Sequence, residues 1–208
     1  MIKKMISTLC AMIFCLGLLP IAAYAVEGGG PTEDTVTGPA TLAAENAPST
    51  LTVGNVTVDT SQGGYWTTDT DGNLVTGSEN SYNVHYDTST NTLYLNGATI
   101  TASNDSNNNP SNAGIYATTS EGQSVSLNII LQGENNQVSG DVGIYVYSSS
   151  TSDASLTISS EDGSNLTASG TVNPGIWVQS NDDEATLTIQ NADVEATVTG
   201  TAAHGVTV

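Results

Sequence analysis

The sequence predicts an all-β protein: a parallel β-helix of about four coils, three strands per coil, with a small N-terminal β cap. Three observations carry this expectation. Residues 26–208 hold 29 Thr, 22 Ser and 19 Asn, types that favour strands and tight turns. From Leu93 onward the chain repeats with a period near 30 residues, the mark of a stacked architecture. Within each repeat, apolar and polar residues alternate in short runs, the period of a strand with one buried face.

The elements follow in order. Residues 1–25 read as a secretory signal, with Lys3 and Lys4 at the start, an apolar run through Ile13 and Leu19, and the A-x-A-type cleavage site Ala23-Tyr24-Ala25. The apolar run is too short for a membrane-spanning helix, and Phe14 before Cys15 argues against a lipoprotein start. Residues 26–50 read as a flexible linker punctuated by Gly28-Gly29-Gly30-Pro31, Pro39 and Pro48. A short helix over residues 42–46 is the only regular element it would support. Residues 51–90 read as the cap. Leu51, Val53, Val56 and Val58 flank a Gly54-Asn55 turn, Asp71-Gly72 signals a hairpin, and Tyr82, Val84 and Tyr86 alternate with polar residues.

Residues 91–208 read as the β-helix. Four segments open with Leu93-Tyr94-Leu95, Leu127-Asn128-Ile129, Leu156-Thr157-Ile158 and Leu187-Thr188-Ile189. Each ends on a glycine-led strand: Gly114-Ile115-Tyr116, Gly143-Ile144-Tyr145, Gly175-Ile176-Trp177 and Gly205-Val206-Thr207. A middle apolar segment lies between, through Ile100, Val138, Leu166 with Ala168, and Val194 with Ala196. Stacking places Leu93, Leu127, Leu156 and Leu187 in one internal column, and Ile115, Ile144, Ile176 and Val206 in another. Insertions fall on one edge, the longest being the polar loop over residues 104–112. The chain stops inside a strand at Val208, so a longer protein or a partner is expected to cover that end.

Composition excludes several functions. Cutting after Ala25 leaves 183 residues with 21 acidic side chains and no Lys, Arg or Cys. Such a chain has no basic surface for nucleic-acid phosphates or for an anionic membrane leaflet. Disulfides are absent in a compartment that would allow them. A lysine or arginine base and a cysteine nucleophile are likewise unavailable. The expected protein is exported, either secreted or at the cell surface, without membrane insertion after signal cleavage.

The candidate sites are few. Tyr116, Tyr145 and Trp177 recur at one position of three successive coils, and alternation turns them outward while Ile115, Ile144 and Ile176 turn in. An exposed strip of flat rings suits the apolar faces of a polysaccharide, and Tyr147 and Tyr94 extend it or lie beside it. Calcium is the metal that the acidic turns suggest. Asp69 and Asp71 sit in an oxygen-rich D-x-D-G turn, and Asp182 and Asp183 in an acidic turn. Neither has the ligand spacing of a dedicated loop; a plain hairpin turn is the favoured reading for Asp69 and Asp71, and a solvated turn between coils for Asp182 and Asp183. Asp182 or Asp183 with His204-Gly205 could serve glycoside hydrolysis by paired carboxylates, although the basic substrate-binding residues of such enzymes are missing. His85 and His204 otherwise read as ordinary surface or turn residues. Asn55, Asn104 and Asn165 match the glycosylation acceptor pattern, as chance alone provides in so polar a chain.

The runs Tyr82-Asn83-Val84-His85-Tyr86-Asp87 and Thr92-Leu93-Tyr94-Leu95-Asn96-Gly97-Ala98-Thr99-Ile100-Thr101, with the Gly-Ile-Tyr units and Leu156-Thr157-Ile158, resemble repeat-rich surface proteins of Gram-positive bacteria. The resemblance covers residues 51–208. It implies a right-handed, pectate-lyase-like β-helix and a carbohydrate-binding or adhesin-like role. The same architecture carries lyases, hydrolases and passive stalks, so it does not itself assign an activity. The leading expectation is a non-enzymatic module that displays a surface for a polysaccharide or a host-surface glycan. A stalk without ligand is the alternative, and a polysaccharide hydrolase or lyase a more distant one.

Overall fold

A computed structural model describes residues 46–102, 109–149, 151–200 and 204–208. Residues 1–25, expected to be a signal segment, and most of residues 26–50, expected to be a linker with a short helix over residues 42–46, lie outside these residues. So does most of the polar loop over residues 104–112. Among the described residues the fold is all-β, and no helix is long and apolar enough to cross a membrane.

Five short strands come first: β1 (Thr50–Val53), β2 (Val56–Val58), β3 (Gly64–Thr68), β4 (Leu74–Thr76) and β5 (Val84–Asp87). Twelve more follow as four triplets. The first coil is β6 (Thr92–Asn96), β7 (Thr99–Thr101) and β8 (Ala113–Thr118). The second is β9 (Val125–Gln132), β10 (Asn136–Gly140) and β11 (Val142–Ser148). The third is β12 (Ala154–Ser160), β13 (Asn165–Gly170) and β14 (Ile176–Ser180). The fourth is β15 (Ala185–Gln190), β16 (Asp193–Val198) and β17 (Val206–Thr207).

Like positions pair in parallel, giving the sheets β6-β9-β12-β15, β7-β10-β13-β16 and β8-β11-β14-β17. This is a β-solenoid. The earlier strands are antiparallel: β1 pairs with β2 and β8, and β5 pairs with β3 and β6. They therefore occupy the ladder edges of β8 and β6 that face away from the second coil. Gly54 opens the two-residue β1–β2 turn at a φ of +55°, a left-handed conformation that favours glycine.

The interior is filled by aliphatic columns. Leu127, Leu156 and Leu187 stand in register, as do Ile115, Ile144, Ile176 and Val206. Ile100, Val138, Ala168 and Ala196 form the column of the β7-β10-β13-β16 sheet. Fully burying a leucine or isoleucine in such a column contributes about 1.5–3 kcal/mol. Burial lapses in the last coil, where Ile158 at 0% exposure is followed by Ile189 at 46%.

One predicted column needs correction. Leu93 lies over Ile129, not Leu127, and Leu95 lies over Leu131. Strand β6 is shorter than the eight-residue β9 and pairs with its second half. A shift of two residues keeps the same side chains facing inward, so the alternation alone could not fix it.

Two features explain the repeat's signature residues. The leading glycine of the last strand in each coil sits where sheets converge. A Cβ on Gly143 would collide with the Gly175 carbonyl, and one on Gly205 with the Ala196 carbonyl. Asn136, fully buried at a corner, ties three coils together. Its Oδ1 accepts the Ala98 N–H at 3.1 Å, and its Nδ2 donates to the carbonyls of Gln132 at 3.2 Å and Asn165 at 3.1 Å.

Candidate functional site

The rings of Tyr116, Tyr145 and Trp177 form a ladder on the outer face of the β8-β11-β14 sheet, because β8, β11 and β14 pair in parallel with these residues in register. The Tyr116 and Tyr145 centroids are 5.6 Å apart with planes at 31°, and those of Tyr145 and Trp177 are 4.9 Å apart at 34°. Tyr147 adds a fourth ring, 5.6 Å from Tyr145. The strip is therefore real as a row, but its centre is not exposed. Tyr145 is only 6% exposed, and it packs with Ala113 and Val142. Rings on successive rungs cover each other's faces, so the middle member of the row is buried by its neighbours. Its phenol is held well above the ordinary range, first by burial and then by the neighbouring Tyr116 and Tyr147.

Tyr116 and Trp177, at the two ends, are half-buried. The rung before Tyr116 carries Thr52, and the rung after Trp177 carries Thr207. Threonine is too small to cover a phenol or an indole. Polar groups border the row: the Tyr145 hydroxyl donates to Gln179 Oε1 at 3.0 Å, and Asn181 Nδ2 donates to the Tyr147 hydroxyl at 3.1 Å. The arrangement combines apolar ring surface with hydroxyl and amide groups and no charge in the row itself.

Tyr94 does not extend this row. It lies on another sheet, in a second aromatic group that the sequence did not reveal. Tyr65, His85 and Tyr94 are cross-strand neighbours on β3, β5 and β6. Tyr65 and His85 stack at 4.0 Å with planes 4° apart, and Tyr94 follows at 5.5 Å. Tyr82 closes the group, 5.6 Å from His85 and edge-on to it. Tyr82 thus leaves the buried face that Val84 and Tyr86 share, contrary to the simple alternation. His85 Nδ1 lies 2.9 Å from the Gly64 carbonyl oxygen, so its ring is held by the backbone as well as by its neighbours.

The acidic candidates behave as turns. One carboxylate oxygen of Asp69 accepts the N–H groups of Asp71 at 2.9 Å and Asn73 at 2.8 Å, and the other accepts the Asn73 amide at 3.1 Å. These bonds, with the Asn73 backbone first, lower the Asp69 pKa. Its lone pairs are therefore engaged by its own loop. Asp182 and Asp183 lie in the exposed turn between β14 and β15, where Asp183 accepts the Glu184 N–H at 3.0 Å. His204 is also exposed. Among the described residues, no three His, Cys, Asp or Glu side chains gather closely enough to hold a metal.

Comparisons with protein-family models, with curated proteins and with solved structures give no match to this chain.

Proposed function

We propose that this chain is an exported, non-catalytic β-solenoid module that binds a neutral polysaccharide or cell-surface glycan along its aromatic ladder. In this reading it is a surface or secreted protein of the right-handed, pectate-lyase-like kind. The observation that carries it is the row Thr52, Tyr116, Tyr145, Trp177, Thr207, three rings bracketed by residues too small to hide the outer ring faces. Tyr145 serves as a buried spacer, while Tyr116 and Trp177 offer their faces about 10 Å apart, two strand spacings along the solenoid. Sugar C–H groups pack on such faces, and the bordering amides and hydroxyls suit sugar hydroxyls. A neutral glycan fits best, because 21 acidic residues against two lysines repel a polyanion.

The experiment is retention on affinity gels carrying neutral polysaccharides. Trp177→Ala is expected to lose retention while keeping a cooperative unfolding transition. Retention equal to the parent's on every gel that binds the parent would remove the ladder from the function. A second reading is favoured by the burial of Tyr145: the row acts only as packing, and the module is a spacer without ligand. That reading predicts that the parent chain itself is retained on no glycan.

A further inference from the structure

The second aromatic group ends on a glycine. Tyr65 pairs with His85, and His85 with Tyr94, so three rings run across β3, β5 and β6. Their planes are nearly parallel, 4° apart for Tyr65 and His85 and 16° for His85 and Tyr94. Tyr82 stands 5.3 Å from Tyr65 and 5.6 Å from His85, which are themselves 4.0 Å apart, so it lies beside the pair and not beyond Tyr65. On the far side of Tyr65 the β3–β4 register brings Gly77, whose N–H donates to the Tyr65 carbonyl at 2.8 Å. Glycine has no side chain to lay on the ring, and Tyr65 is half-buried. Two residues along the same face, Val75 pairs with Thr67 and is 52% exposed.

Carboxylates surround this stack. Glu79 lies in the tight turn closed by Ser78 and Ser81, two residues after Gly77, and is exposed. Burial first, and then the charge of Glu79, raises the Tyr65 phenol above its ordinary range. Burial and then Asp87 raise that of Tyr94, with Glu161 adding to it. The Asp87 carboxylate is held by its own turn, accepting the Ser89 N–H at 2.9 Å and the hydroxyls of Ser89 at 2.7 Å and Thr90 at 3.1 Å. It therefore supplies field, while the exposed Glu79 and Glu161 can make contact. Residues 46–208 contain no Lys or Arg to offset these charges. Ring faces and carboxylates attract the same partner, a cation. Nearly parallel rings select a flat one: a guanidinium continues such a stack, whereas an ammonium is a strongly hydrated point charge.

We propose that this patch is a docking surface for an arginine-bearing, basic segment of a partner protein. The guanidinium lies on Tyr65 in the place that Gly77 leaves, beside Glu79, with its aliphatic stem along Val75. The field of Asp87 and Glu161 at the Tyr94 end favours further basic residues of the same segment. The site is separate from the ladder of Tyr116, Tyr145 and Trp177 and does not depend on its role.

The test is calorimetric titration of the full chain at physiological salt with a capped arginine–glycine peptide and with its lysine–glycine counterpart of equal length. The arginine peptide is expected to bind saturably and ~10-fold more tightly than the lysine peptide. Tyr65→Ala is expected to weaken the arginine peptide ~10-fold and Glu79→Gln roughly 3-fold, while an Asp183→Asn control keeps the parent's affinity. Absence of saturable binding by the parent would overturn the proposal. So would equal affinities for the two peptides, or equal losses in Glu79→Gln and Asp183→Asn, either of which would assign the binding to diffuse attraction by the acidic chain. Loss of glycan retention in Tyr65→Ala with the arginine peptide's affinity unchanged would give the patch to a glycan and equally overturn it. If Tyr65→Ala does not fold, Glu79→Gln decides: an affinity equal to the parent's would contradict the site.

Discussion

The two aromatic groups of this protein are built from similar side chains by opposite means. Tyr116, Tyr145 and Trp177 come together because parallel coils repeat one position. Tyr65, His85 and Tyr94 come together because antiparallel strands of the non-repeating region happen to share a register. The first group is a continuation of the repeat, and its middle ring is as buried as core. The second is a half-buried patch beside acidic residues: Tyr65 is raised above its ordinary pKa by burial and then by Glu79, and Tyr94 by burial and then by Asp87. The difference teaches that a ring's place along a ladder, more than its facing in or out, decides whether it serves packing or contact.

That contrast can be broken by substitution. The largest effect is expected for Tyr145→Ala, which removes a nearly buried ring from the centre of the row and should destabilise the fold by about 3 kcal/mol in urea unfolding. Trp177→Ala, at the open end, should cost about half as much. Equal losses would erase the distinction between spacer and contact ring.

Tyr86→Phe comes next. The Tyr86 hydroxyl is buried and donates to Asn91 Oδ1 at 2.8 Å. Its loss leaves that oxygen unpaired and should cost about 1–2 kcal/mol. Burial, reinforced by the charge of Asp87, pushes the Tyr86 phenol from 10.0 up to about 12. A raised folded pKa means the neutral form is the one the fold holds. Its contribution is complete below pH 10 and is lost as pH rises through about 12. Phenolate absorbance and circular dichroism should therefore show alkaline unfolding in that window, moved to higher pH in Tyr86→Phe.

In the second aromatic group, His85→Ala removes stacking on two tyrosines, worth about 1 kcal/mol for such pairs. It should leave glycan retention untouched. Reduced retention would shift the contact surface from the ladder to this patch.

The smallest effect is expected at Asp162, whose carboxyl is lowered from 3.8 by the Ser164 hydroxyl first, then by the Ser160 hydroxyl and the Ser164 N–H. A lowered folded pKa contributes stability above the unfolded value, lost as pH falls below 3.8. Melting temperatures across that acid range should fall slightly less steeply for Asp162→Asn than for the parent.

The solenoid and the aromatic row were legible because they repeat. Glycine-led strands at spacings of 29, 32 and 30 residues fixed three coil-to-coil registers. The Leu93 register was not legible, since a two-residue shift preserves the inward face. The burial of Tyr145 was missed because alternation gives a direction, not the size of the neighbours on adjacent rungs. The Tyr65–His85–Tyr94 group was hidden for a different reason: antiparallel pairing brings distant residues together without leaving a period. The acidic candidates at Asp69, Asp71, Asp182 and Asp183 drew notice as runs of acids, which is also how turns are written. Asp141 stands alone in sequence between Gly140 and Val142, and only the fold reveals that it is buried.

The ladder's role is tested most directly by the fluorescence of Trp177 in a Trp66→Phe background, where it is the single tryptophan. Titration with a panel of neutral oligosaccharides is predicted to give a saturable change in emission for the glycans that retain the protein on gels. Unaltered emission with a glycan that demonstrably binds the same protein would contradict the account.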